Sequence, residues 1–134
     1  MIVDSSALVA ILQVEAQAPF LERLLVEVPS RISAATLVEV RAVVGGRTGP
    51  VGLRNLASLL QRFRVEVAPF DERQAEVASA AYRDYGRGSG SPARLDFGDT
   101  FSYALAFVED EPLLYVGDDF SHTDIRSALE EYAE

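Results

Sequence analysis

The first four residues, Met1-Ile2-Val3-Asp4, constrain the fold of this chain more than any other stretch. Three apolar residues that end in a carboxylate are typical of a short strand buried on both faces, as the strands of a parallel sheet are. In open α/β sheets, ligands bind just beyond the carboxyl ends of such strands. We therefore predict that Asp4 stands at a functional site and that other acidic residues gather around it.

Strands and helices alternate along the rest of the chain. Further strands are predicted at residues 31–33, 65–68 and 113–116. Helices are predicted at residues 7–12, 15–26, 34–44, 53–63, 71–85, 99–108 and 124–132. This alternation indicates right-handed βαβ units and a parallel sheet with helices on both faces.

Local signals set the limits of several helices. Ser5 or Ser6 is expected to cap the first helix. The 34–44 helix is apolar nearly all round, so we expect it to be buried. Four glycines within residues 45–52 are predicted to form the turn that ends it, and residues 86–92 (GRGSGSP) are predicted to form a flexible loop inside the domain.

Length and composition narrow the class of protein. A chain of 134 residues with 49% hydrophobic residues predicts one globular domain over residues 1–134. No apolar run is long enough for a membrane helix, and Met1 leads directly into a strand, so we expect no signal peptide and a cytoplasmic location. Cysteine is absent and His122 is the single histidine, which excludes thiol catalysis and Cys- or His-rich metal sites.

The charge balance is strongly acidic. A net charge of −9 argues against a nucleic-acid partner, which usually needs a basic face. A cluster of acids that holds divalent cations would contribute several of these charges, however. All 12 cationic residues are arginine, so chemistry that depends on lysine is excluded.

Glu39 is predicted to lie on the same helix face as Ala35 and Val43. A carboxylate that faces a core is costly unless it is paired or bound to a metal. An ion pair with Arg31 or Arg41, or simple exposure to solvent, is the alternative to a role in a site.

Acidic residues also mark the start of the 99–108 helix and the end of the fourth strand. We expect Asp96 to cap or support the helix and Asp99 to point into the site, with capping by both as the alternative. Asp118 and Asp119 follow the fourth strand, and a plain turn is the alternative for them. If all these acids converge with Asp4 at one edge of the sheet, a donor set without His or Cys selects Mg²⁺ or Mn²⁺.

Four stretches in order resemble PIN-domain ribonucleases of the VapC toxin type. They are residues 1–10 (MIVDSSALVA), 33–39 (SAATLVE), 95–106 (LDFGDTFSYALA) and 113–120 (LLYVGDDF). The resemblance implies a PIN-like α/β/α sandwich with a central parallel sheet of four or five strands flanked by helices. It also implies Mg²⁺- or Mn²⁺-dependent cleavage of RNA, a homodimer, and neutralisation by a VapB-type antitoxin.

Carried over by position, the resemblance assigns the metal site to Asp4, Glu39, Asp99 and either Asp118 or Asp119. Ser6 falls where the family has a small hydroxyl residue beside the metal. The chain departs from the pattern at Val116, where many relatives have lysine, and in the 86–92 loop, which carries few cations.

The sequence thus predicts an endoribonuclease toxin in which a metal activates the attacking water. Whether the RNA is a tRNA or an rRNA, and whether one or two ions bind, stays open. The candidate phosphate contacts are Arg31, Arg41, Arg83, Arg87 and Arg94.

Two other classes of function compete with this prediction. A catalytically silent PIN module that only binds partners would not respond to metal. A receiver-like phospho-acceptor switch needs paired acids at the first strand and a lysine near the last strands, and this chain has neither.

Overall fold

The computed structural model describes residues 1–133 and shows a parallel sheet between two layers of helices. Within those residues the sheet has four strands, β1 (Ile2–Val3), β2 (Arg31–Ser33), β3 (Glu66–Ala68) and β4 (Leu113–Leu114), in the order β3-β2-β1-β4. All neighbouring strands are parallel. The predicted α/β/α sandwich around a parallel sheet is confirmed.

The helices connect these strands. In the described part of the chain they are α1 (Ser5–Leu12), α2 (Ala18–Glu27), α3 (Ala34–Arg62), α4 (Glu72–Tyr85), α5 (Asp99–Glu109) and α6 (Ala128–Glu131). None of the helices in residues 1–133 combines the length and the hydropathy that a membrane crossing requires.

Both faces of the central strands are covered by helices. Ile2 and Leu113 belong to the core beneath α4 and α5, whereas Val3 and Leu114 belong to the core beneath α1, α2 and α3. All four side chains are fully buried. Because successive strand residues point to opposite faces, a strand covered on both sides must be apolar at every position.

The chain order reverses between β1 and β4. From β1 the chain continues to β2 and β3 on one side, and β4 lies on the other side. The backbone N–H of Asp4 donates to the carbonyl of Leu114 over 3.0 Å, which ties the carboxyl ends of β1 and β4 together. Such a reversal is where open α/β sheets form a ligand-binding crevice.

Helix α3 is longer than predicted, but it contains a kink at Gly49, within the residues predicted to form a turn. It continues through the glycines expected to form a turn, and only Gly49 leaves the helical conformation, with φ 63° and ψ −152°. Each glycine costs a helix only about 1 kcal/mol, and the Thr48 hydroxyl adds a bond to the Val44 carbonyl over 2.8 Å. Pro50 follows at the start of a new helical segment, where its missing N–H is tolerated.

Other predicted details are also corrected. The first half of α3 is not buried all round, since Val38 is 68% exposed. Asp4 caps α1 in place of Ser5 or Ser6. Strand β4 ends at Leu114 rather than at residue 116, and α6 begins at Ala128 because Ser127 caps it.

Candidate acidic site

Asp4 is a buried carboxylate held by hydroxyl groups. Its side chain is 1% exposed and caps α1, with Oδ2 accepting from the backbone N–H of Ser6 at 3.1 Å and from Ser6 Oγ at 2.6 Å. Oδ1 accepts from Ser102 Oγ at 2.6 Å. Burial raises the pKa of Asp4, and these hydrogen bonds from Ser102 and Ser6 offset part of the rise.

The hydroxyl groups also tie the site to its surroundings. Ser6 Oγ accepts from the backbone N–H of Val116 at 3.1 Å, just after β4. Ser102 Oγ lies 3.1 Å from Thr36 Oγ1 on α3. Ser6 therefore lies beside Asp4 as predicted, whereas Ser102 and Thr36 were not singled out. Buried hydroxyl residues on otherwise apolar helices are the sequence signal that could have found them.

Glu39 projects from α3 toward Asp4. Ser5 Oγ donates to Glu39 Oε1 over 2.8 Å. The pKa of Glu39 is raised, first by burial and then by the charges of Asp4 and Asp96, although the Ser5 hydroxyl opposes the rise. Among residues 1–133, no ion pair joins Glu39 to Arg31 or Arg41, so the pairing alternative is not supported.

Asp96 and Asp99 form a reciprocal pair at the start of α5. The Asp99 N–H donates to Asp96 Oδ1 at 2.9 Å, and the Asp96 N–H donates to Asp99 Oδ2 at 3.0 Å. Asp99 is 7% exposed. Its pKa is raised to about 8 by burial and by the charge of Asp4, with smaller contributions from Asp96 and Asp119. The Asp96 carboxylate thus accepts from the first N–H of α5, a supporting role, while Gly98 is the capping residue. Asp99 lines the pocket with the other acids.

The structure places the neighbouring residues Asp118 and Asp119 in different surroundings. Asp119 lines the same pocket as Asp4 and Asp99. Asp118 belongs to a turn, where its carbonyl accepts from the N–H and the hydroxyl of Ser121 at 3.1 and 2.6 Å. The geometry therefore favours Asp119 as the fourth acid.

One pocket of about 410 Å³ collects these groups at the β1–β4 edge. Six carboxylates and a single guanidinium, that of Arg47, provide its charged lining. The charged residues are Asp4, Glu15, Glu39, Arg47, Asp96, Asp99 and Asp119. Glu15 and Arg47 were missed by sequence reasoning.

Arg47 was missed because the helix that carries it was expected to end at residue 44. In the structure Glu39, Val43 and Arg47 follow one another at intervals of four residues on α3 and all line the pocket. The spacing i, i+4, i+8 was visible in the sequence.

The arginines predicted to contact RNA lie outside this pocket. Arg31 is at the opposite, amino edge of the sheet, where it pairs with Glu111 and, at 3.4 Å, with Glu109. This position and these ion pairs favour a structural role for Arg31 over contact with RNA at the pocket. Arg83 pairs with the neighbouring Asp84 at 3.0 Å. The other three, Arg41, Arg87 and Arg94, are exposed on the surface.

The donor set suits a hard divalent cation, because its acids are all carboxylates and no lysine or histidine lines the pocket. Within residues 1–133, no three Asp, Glu or His side chains stand close enough to hold one ion together. Asp119 is exposed and Asp96 is half-buried. A shell of three ligands therefore requires rotation of side chains at the rim of the pocket.

Comparison with known proteins gives the family. The family model for the PIN domain matches residues 1–126. Ribonuclease VapC42 of Mycobacterium tuberculosis is 54% identical over 129 residues, which cover 96% of this chain and 98% of that protein. Ribonuclease VapC28 of the same organism is 47% identical over 131 residues, covering 97% and 98%.

Solved structures agree in fold. VapC20 of Mycobacterium tuberculosis, a toxin that cleaves the sarcin–ricin loop, superposes with a TM-score of 0.71 at 20% identity, covering 92% of this chain and 95% of that one. VapBC2 of Rickettsia felis, solved on a DNA fragment of its promoter, gives 0.73 at 15% identity, covering 94% and 95%. With the motifs, the family match and relatives that align along nearly their whole length, this chain belongs to the PIN-domain family and is a VapC-type ribonuclease toxin.

Proposed function

We propose that this protein is a Mg²⁺- or Mn²⁺-dependent endoribonuclease whose active site is the acidic pocket at the β1–β4 edge. The observation that carries the proposal is the convergence of Asp4, Glu39, Asp99 and Asp119 in one pocket whose lining includes a single cation, Arg47. Buried like charges are costly unless a cation offsets them. The relatives named as ribonucleases support the same reaction.

We assign roles to the chain's own residues. Asp4, Glu39, Asp99 and Asp119 hold the metal, Ser6 and Ser102 orient Asp4, and Asp96 orients Asp99 through its N–H. A bound divalent ion supplies an activated water and stabilises charge at the phosphate. Since no lysine or histidine lines the pocket, only its carboxylates could accept a proton from that water.

Arg47 is the proposed contact to the RNA phosphate. It is the one cation among the residues that line the pocket. Arginine binds phosphate through two parallel N–H bonds, which also fixes the orientation of the substrate. Arg41, Arg87 and Arg94, on the surrounding surface, remain proposed outer contacts to a tRNA or rRNA substrate.

We further propose that a VapB-type antitoxin neutralises the protein by covering the edge of this pocket. An apolar groove of about 200 Å³ between α1 and α3 shares Val9, Gln13, Val43 and Arg47 with the acidic pocket. A partner with an apolar segment in this groove and a cation beyond it would complement both surfaces. Similar solved structures include toxin–antitoxin complexes, which supports a partner of this kind.

Cleavage of purified tRNA and rRNA in Mn²⁺, in Mg²⁺ and in EDTA tests the proposal. Wild type should cleave only with metal, and Asp99→Asn and Asp119→Asn should each lose at least about tenfold in rate. Asp118→Asn is the matched control, because its carboxylate lies outside the pocket. Equal losses in Asp118→Asn and Asp119→Asn would remove Asp119 from the site.

A second candidate is a silent PIN module that only binds partners. It is favoured by the open arrangement of the acids, since no three of them in residues 1–133 are placed to hold one ion. Thermal unfolding with and without Mn²⁺ separates the two candidates, because the silent module should show no shift of the melting temperature.

A further inference from the structure

The side chain of Glu39 occupies space next to Gly98 that is free only because residue 98 is a glycine. A Cβ atom built on Gly98 would lie 1.4 Å from Glu39 Oε2 and 2.4 Å from Glu39 Cδ. Distances this short do not occur between non-bonded atoms. The Glu39 carboxylate therefore fills the place where any other residue at position 98 would carry its side chain.

The backbone at Gly98 does not itself require glycine. Its φ of −64° and ψ of −35° lie in the ordinary right-handed helical region, and it makes no side-chain capping bond. Alanine adopts this conformation without strain, although glycine is preferred to alanine at the N-cap residue of a helix. Backbone strain therefore does not require glycine here, whereas the space that Glu39 uses leaves no room for a side chain.

The opposite side of the same carboxylate is held by Ser5, which donates to Oε1 over 2.8 Å. Ser5 belongs to α1, Glu39 to α3, and Gly98 directly precedes α5. Three elements of the fold therefore set the position of one acid. Asp4 and Asp96 lie near enough for their charges to act on it.

We infer that Gly98 is a positioning residue that holds open the space through which the Glu39 carboxylate enters the acidic pocket. The consequence for metal binding rests on the function proposed above. The position of the Glu39 carboxylate does not rest on that function, because its contacts with Gly98 and Ser5 are contacts between protein atoms.

A double-mutant cycle between Gly98→Ala and Glu39→Ala tests the inference, with Mn²⁺ affinity measured by calorimetry and melting temperature measured in EDTA. Gly46→Ala is the matched control, since Gly46 is a helical glycine whose added Cβ would meet nothing within 4 Å. In wild type, Gly98→Ala should lower Mn²⁺ affinity by about tenfold. In the Glu39→Ala background it should cause no further loss.

The metal-free arm gives an independent result. With Glu39 truncated, Gly98→Ala should not lower the melting temperature. With Glu39 present, Gly98→Ala should lower the melting temperature, because the displaced carboxylate loses its bond to Ser5. If the Gly98→Ala protein did not fold but the Gly98→Ala/Glu39→Ala protein did, the same coupling between the two residues would be shown by a larger effect.

Equal effects of Gly98→Ala in both backgrounds, or unfolding of both variants, would overturn the inference. Failure of wild type to bind Mn²⁺ would reject the proposed function instead, and the metal-free cycle would then decide on Gly98 alone.

Discussion

The pKa of Asp99 is raised to about 8 by burial and by the charge of Asp4. An unfolded aspartate has a pKa of about 3.9. Between these values the folded protein holds a proton that the unfolded chain releases, so the stability of the metal-free fold falls as pH rises through this window. The full penalty is present above the folded pKa.

Asp99→Asn should remove this penalty. In EDTA the variant should be at least as stable as wild type at neutral pH, and its advantage should grow from pH 4 to pH 8 by at most about 1.4 kcal/mol per pH unit. Mn²⁺ should reverse the order, since wild type gains about 2.7 kcal/mol at a hundredfold excess over its dissociation constant. Urea unfolding at several pH values measures both effects. If the variant were less stable than wild type at every pH, the main role of Asp99 would be to accept the hydrogen bond from the Asp96 N–H.

Arg47→Ala should weaken RNA binding and reduce the slope of log affinity against log salt by about 1, as the loss of one phosphate contact requires. The measurement is RNA binding in EDTA, where no cleavage is expected, over a range of salt. Arg54→Ala is the control, because Arg54 is exposed on the same helix and does not line the pocket. An equal change in both variants would assign Arg47 to general surface charge.

The four acids proposed to hold the metal could be predicted one by one, whereas the supporting hydroxyl groups of Ser102 and Thr36 could not. Asp4 directly follows β1 and Asp119 lies five residues after β4, and this order in the sequence brings both to one edge of a parallel sheet. Ser102 contacts Asp4 from a residue 98 positions away along the chain. Such a contact depends on how α5 is rotated against the sheet, which local sequence does not encode.

At the scale of elements, the bend in α3 depends on one residue. Gly49 has a φ of 63° and a ψ of −152°, a combination that only glycine adopts readily. Gly49→Ala should therefore destabilise the fold by about 1–3 kcal/mol, although its Cβ would meet no atom within 4 Å. Gly46→Ala in the same helix should stabilise by up to about 1 kcal/mol. Urea unfolding of the two variants compares them, and similar values would mean that the bend tolerates other conformations.

The course of α3 was predicted poorly for a physical reason. A glycine lowers helix stability by about 1 kcal/mol, and packing against a core outweighs a cost of that size. Val44 and Leu56, on either side of the glycines, are both buried in the same core. Tertiary packing thus keeps Gly45 and Gly46 helical, and local propensity alone indicated a turn.

At the scale of the whole molecule, exposed apolar residues on α3 favour self-association. Val38 is 68% exposed and Leu53 is 38% exposed. We expect a homodimer with an isologous interface that includes both halves of this helix. Sedimentation at micromolar concentration should give twice the mass of the chain, and Val38→Asp should reduce it. Val14→Asp, at an 83% exposed position outside α3, is the control. A monomeric wild type would contradict the prediction.

The layered architecture itself was predictable from the sequence. The uninterrupted apolar run at β1 requires helices on both faces, and the alternation of strands and helices requires parallel pairing. The strand order was not predictable in the same way, because β4 could have paired on either side of the sheet. Long-range packing decides such choices.

Asp4 performs two tasks, since the carboxylate assigned to the metal also caps α1. A gene copy released from selection for nuclease activity would therefore still be selected to keep this aspartate, or an asparagine, for the sake of folding. Retention of Asp4 across descendants is consequently a weak sign that they still cleave RNA. Asp119, which is exposed and lies outside the helices and strands, has no comparable structural task. In a lineage that has lost nuclease activity and only binds partners, Asp119 should therefore be replaced earlier than Asp4.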